Sequence, residues 1–110
     1  MSEERYINAS GHRLYYEYIS RDLLETDKPV LIFLHEGLGC IPSWKKFPQL
    51  LCEKLDLPAL LYDRYGYGKS EMVKEPRNVD FLQKEALDVL PELLEKLNLH
   101  KKKIILIGHS

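Results

Sequence analysis

Three unbroken apolar runs constrain this chain most: PVLIFLH (Pro29 to His35), PALLYD (Pro58 to Asp63) and Ile104 to Ile107. A strand with one face in water alternates apolar and polar residues. A run without alternation needs cover on both faces, the condition of inner strands in a parallel sheet. The segments between the runs have helical spacing. From Trp44 to Leu55 the apolar residues are Trp44, Phe47, Leu50, Leu51, Cys52 and Leu55. That pattern predicts a helix whose first turn Pro48 tightens or offsets. Asn78 to Leu97 predicts a second helix, with Leu82, Ala86, Leu87, Leu90, Leu93, Leu94 and Leu97 as its apolar face. Asp80 with Gln83 resembles a capping box there, and Pro91 is expected to kink the second half.

Upstream, RYINAS and HRLYYEYIS flank Ser10-Gly11 and read as an antiparallel hairpin. RDLLETDK is polar and reads as a loop. The order β-β-β-α-β-α-β predicts an α/β fold: an antiparallel hairpin leading into a mostly parallel sheet with helices on both faces. In such sheets the functional groups gather in loops beyond the carboxyl ends of the strands. His35 to Ser43, Asp63 to Ser70, and Gly108-His109-Ser110 are those loops here.

Charge and length narrow the classes. In 110 residues, 16 Lys and Arg face 17 Asp and Glu, a net charge of −1. This is no footprint for nucleic acid or an anionic membrane surface. No stretch approaches the roughly 18 apolar residues of a membrane span. MSEERYINAS lacks the apolar core of a signal peptide. Cys40 and Cys52 have no paired spacing and read as free thiols in a reducing, cytoplasmic compartment. There is room for one domain at most.

Two motifs fail on inspection. Gly68-Lys69-Ser70 looks like the tail of a phosphate-binding loop, but the required earlier glycine falls on Asp63 and no apolar-periodic helix follows. The reading that remains is a tight turn, held in part by Asp63 and Arg64. His35-Glu36 would open a zinc-binding HExxH, but the second histidine falls on Gly39. No metal or cofactor is implied. Two other features point to chemistry. Gly37 and Gly39 leave backbone N–H groups uncovered after a buried strand, as an oxyanion hole requires. Gly108-His109-Ser110 after a buried strand is the first half of a nucleophile elbow, G-x-S-x-G.

LHEGLG (Leu34 to Gly39), YDRYGYGKS (Tyr62 to Ser70) and LIGHS (Leu106 to Ser110), in that order, resemble the N-terminal part of α/β-hydrolase fold enzymes of the serine esterase and lactonase-like branch. The resemblance covers essentially the whole chain. It implies that Ser110 is the nucleophile and that the Leu38 N–H, with Gly37 the nearby alternative, is one oxyanion donor. The family loop begins His-Gly; here Glu36 separates His35 from Gly37. His35, Glu36, Gly39 and His109 are then expected to line the pocket, and the Asp63 loop to form one wall.

In that fold the second oxyanion donor and the acid and histidine of the triad follow the serine. The chain is therefore expected to be the N-terminal part of a single domain, and inactive by itself. None of its histidines reads as the base: His35 belongs to the oxyanion loop, His109 precedes the serine in a sharp turn, and His12 and His100 lie in the hairpin and in an αβ loop at the opposite edge. The expected reaction is hydrolysis of a small carboxylic ester, lactone or thioester through an acyl-enzyme. A haloalkane dehalogenase would carry aspartate at position 110. Carbon–carbon bond hydrolases and cofactor-free haloperoxidases of this fold also carry serine, and a non-catalytic binding protein of this fold is the remaining alternative.

Overall fold

The computed structural model describes residues 5–35, 40–72 and 85–108. β1 (Tyr6–Ala9) and β2 (His12–Ile19) form the hairpin, paired from Tyr6 with Tyr15 to Ala9 with His12. Ser10 and Gly11 both take positive φ, 51° and 81°. This is the tight turn whose twist matches that of the strands it joins. β2 is the longer strand, and its second half pairs antiparallel with β4 (Ala59–Tyr62). β3 (Val30–Leu34) lies parallel to β4 on one side and to β5 (Ile104–Gly108) on the other. The sheet order is β1-β2-β4-β3-β5.

The two inner strands serve two cores, with the period of a pleated strand. Leu31 and Phe33 of β3 and Ala59 and Leu61 of β4 pack with Ile41 and Cys52 on one face. Val30, Ile32, Leu60 and Tyr62 pack with Leu93 and Leu99 on the other, joined by Ala9 and Leu14 of the hairpin. Both faces are sealed, as the unbroken apolar runs require.

The helices depart from expectation in instructive ways. The segment expected as one helix from Trp44 is two elements: a 3-10 turn, Ile41–Trp44, and helix α1, Phe47–Leu55. Lys45 between them has φ 55° and ψ −128°, which no helix contains. Pro48 sits in the first turn of α1, where its missing N–H costs nothing. Asp56 ends α1 in the left-handed conformation, and the Lys28 amine pairs with its carboxylate. RDLLETDK is likewise not all loop: Arg21–Glu25 forms a 3-10 turn, closed by the Thr26 hydroxyl donating to the Leu23 carbonyl at 2.6 Å.

The second helix is described from Glu85; its start, with Asp80, Leu82 and Gln83, lies outside the described residues. Glu85–Val89 is a wide π turn that runs into helix α2, Leu90–Lys96. Pro91 accounts for the widening, because it has no N–H to donate to the Leu87 carbonyl. The wider turn also shifts the face. Leu87, expected inside, is 73% exposed, whereas Leu93 is fully buried.

β5 departs too. Its apolar run predicts cover on both faces, yet Ile105 and Leu106 are 41% and 54% exposed. Among the described residues β5 pairs with β3 alone and forms the edge of the sheet. Ile104 and Ile107 still reach the two cores, one on each face.

Candidate functional site

The carboxyl ends of β3, β4 and β5 lie side by side. Leu34 is level with Gly108 in the parallel register, and Phe33 with Leu61. The segments that leave β3 and β5 therefore depart from one place on the sheet. Those segments contain six of the seven expected site residues: Glu36, Gly37, Leu38 and Gly39 after β3, and His109 and Ser110 after β5. All six lie outside the described residues. What the structure places is the frame around them: His35, Cys40 and Ile41, the Asp63 to Ser70 turn, and Gly108. An added Cβ at Gly108 would meet no described atom within 4 Å.

His35 is 5% exposed and follows β3 directly. Its Nε2 accepts the Arg64 N–H at 3.0 Å, and its ring packs edge-on against Tyr67. A proton taken at Nε2 would forfeit that bond, which bars His35 from acting there as a general base. His12 lies in the hairpin at the edge of the sheet opposite β5, but at the same end as the site, because β2 runs antiparallel to β4. Its ring stacks on Tyr65 and its Nδ1 lies 3.3 Å from Glu71. Three strand spacings, about 14 Å, still separate β2 from β5.

Asp63 organises the frame. It ends β4 at 1% exposure, and a buried carboxylate is costly unless donors satisfy it. Oδ1 accepts the Ile41 N–H at 2.6 Å, and Oδ2 accepts the Lys69 N–H at 2.9 Å. Gly68 makes room for this. At φ 53°, a Cβ there would sit 2.2 Å from Oδ2. The backbone of Asp63 is held as well, its N–H donating to the Tyr15 carbonyl at 2.9 Å and its carbonyl accepting the Ser70 hydroxyl. The Ser70 oxygen in turn accepts the Tyr15 N–H at 2.8 Å.

The turn thus closes on itself, with Tyr67 N–H on Arg64 and Ser70 N–H on Tyr67 as inner bonds. The amides a phosphate would need at Lys69 and Ser70 are already engaged, in keeping with the reading as a tight turn. Sequence alone marks Asp63 as an acid ending an apolar strand. It does not reveal the Ile41 amide as partner.

On the α2 face, the Tyr62 hydroxyl donates to Glu85 at 2.8 Å, and burial followed by the nearby Glu85 charge pushes its pKa well above the usual value. Burial likewise raises the Cys52 thiol, and both cysteines are free. Among the described residues, no three His, Cys, Asp or Glu side chains converge to hold a metal ion. No helix among them is long and apolar enough to cross a membrane.

No protein-family model matches the chain, and no curated protein matches its sequence. Solved structures do match. An esterase from Thermogutta terrifontis superposes with a TM-score of 0.71 at 20% identity, over 99% of this chain and 37% of its own. An α/β hydrolase from a Medee basin deep-sea metagenome library gives 0.71 at 23% identity, over 94% and 34%. An epoxide hydrolase from Vigna radiata gives 0.67 at 21% identity, over 98% and 30%. The chain therefore spans about a third of the length of these neighbours. Its mixed five-stranded sheet, hairpin first and helices on both faces, is the N-terminal part of an α/β-hydrolase fold.

Proposed function

We propose that this chain is the N-terminal part of a serine hydrolase domain acting on a small carboxylic ester, lactone or thioester, with Ser110 as nucleophile. The observation that supports this most is the register of β3 with β5. It brings Leu34 level with Gly108, so that the strands leading into the Gly-Leu-Gly and Gly-His-Ser motifs end side by side. A nucleophile and an oxyanion donor must meet one carbonyl group from two directions, and adjacent strand ends supply that arrangement.

In this reading the Ser110 oxygen attacks the carbonyl carbon while a histidine later in the domain takes its proton. Negative charge moves to the carbonyl oxygen, where the Leu38 N–H, or that of Gly37, donates to it. The tetrahedral species collapses, the alcohol or thiol leaves with the proton, and water hydrolyses the acyl-serine by the reverse sequence. In the same reading His35, Glu36, Gly39 and His109 line the pocket. No cofactor takes part, and the free thiols suit a reducing cytoplasm.

The fold alone admits other hydrolases, including the epoxide chemistry named for the Vigna radiata neighbour. Serine separates the two. A carboxylate that opens an epoxide forms an ester, which water can cleave at its carbonyl. A serine would form an ether, which water does not cleave. Ser110 therefore favours acyl transfer. The test is covalent labelling of the protein carrying this chain with a fluorophosphonate probe. Labelling is expected, and Ser110→Ala is expected to abolish it; labelling that survives the substitution removes Ser110 from the role.

A further inference from the structure

We propose that Asp63 is a positioning residue for this reaction, its carboxylate holding the Ile41 end of the segment that follows His35; this rests on the reading of that segment as the source of oxyanion donors. The two shoulders of that segment are His35 and Ile41, and both are referred to one point at the end of β4. His35 Nε2 holds the Arg64 N–H at 3.0 Å, and the Ile41 N–H is held by Asp63 Oδ1 at 2.6 Å. Asp63 and Arg64 are consecutive, and β4 before them is buried throughout. The residues on either side of the proposed donors are thus tied to one dipeptide, Asp63-Arg64. An oxyanion donor acts through geometry prepared before the charge appears, so the tie is felt in the transition state.

Asp63 is buried at ionic chemistry's expense, and its two oxygens serve two backbone amides from different segments, Ile41 and Lys69. Asparagine keeps the shape but turns one acceptor into a donor, which must face an N–H. Gly68 supplies a second handle. Its missing Cβ is the space the carboxylate occupies, so Gly68→Ala displaces the carboxylate without changing its chemistry.

The experiment uses the protein carrying this chain with its Ser110-dependent ester turnover, and reads kcat and KM separately. Affinity for a trifluoromethyl ketone transition-state analogue is read beside them. Losing one oxyanion donor costs about 10²–10³-fold, so displacing the loop is expected to cost about 10–100-fold in kcat. For Asp63→Asn and Gly68→Ala alike, kcat and analogue affinity are expected to fall in parallel while KM changes less than about twofold. Tyr62→Phe removes a buried hydrogen bond on the opposite face, and is expected to lower Tm with kcat retained. Wild-type kcat in a folded Asp63→Asn or Gly68→Ala, or losses no different from those of Tyr62→Phe at equal Tm, would overturn the proposal. If Asp63→Asn does not fold, Gly68→Ala carries the same test. If the wild type shows no Ser110-dependent labelling, the functional reading fails first. Amide exchange at Ile41 and Lys69 then tests the tie itself, and protection unchanged in Asp63→Asn would refute it.

Discussion

β3 and β5 carry similar sequences, VLIFL and IILIG, and lie hydrogen-bonded in parallel register. Their surroundings differ. β3 has a strand on each side and a packed layer on each face; Val30 to Phe33 are sealed. Among the described residues β5 has one strand partner, and its central Ile105 and Leu106 stand half in water. Apolar composition therefore states what a strand requires, while its neighbours decide whether the requirement is met. The same distinction holds in α1. Its inward residues Pro48 and Cys52 are buried, but Phe47, Leu50 and Leu55 are exposed, the first two lining a shallow apolar depression.

The largest effect expected from this contrast is in the core. Phe33→Ala is expected to cost about 3–5 kcal/mol, read from the denaturant midpoint at constant slope. Leu106→Ala, with half its surface already wet, is expected to cost less than about 1 kcal/mol in the 110-residue chain. A cost for Leu106→Ala near that of Phe33→Ala would break the contrast, because it would mean that β5 is covered in solution.

A titration sharpens the covered side. Tyr62 is held protonated in the fold by burial and by Glu85. An unfolded tyrosine ionises near pH 10. Above that pH the unfolded chain loses the proton first, so stability is expected to fall as pH rises past about 10. Tyr62→Phe is expected to flatten that fall; an unchanged alkaline slope would mean that the α2 face opens before the fold does. The smallest effect is on the exposed edge. Ile105→Thr is expected to change stability by less than about 0.5 kcal/mol while reducing self-association at high concentration, followed by light scattering. Undiminished association would move the sticky surface elsewhere, with the outer face of α1 next in line.

Much of the scaffold was legible because its signals are local. Ser10-Gly11 predicts the hairpin through the turn it permits. The apolar runs predict β3 and β4, sealed on both faces, because no residue in them breaks the pattern. What escaped was set by neighbours distant in sequence or by a single dihedral. The reversal at Lys45, which cuts the expected helix short, leaves no trace in apolar spacing. The outward turn of Leu87 follows from Pro91 widening the turn before it, which a fixed helical period does not represent. At the site, the turn from Asp63 to Ser70 was legible from its glycines. The bond from Asp63 to Ile41 joins residues 22 apart and was not.

Gly68 and Asp63 have a consequence for anyone rebuilding this protein. One position is defined by an atom it lacks, the other by the atoms that fill the gap, so neither has a meaningful substitution profile alone. A library that varies the Asp63 to Ser70 turn one codon at a time would score both as intolerant and miss combinations that exchange them together. A graft of this turn into another protein of this fold would have to carry the pair, and the Ile41 N–H that the carboxylate accepts, as one transferable unit.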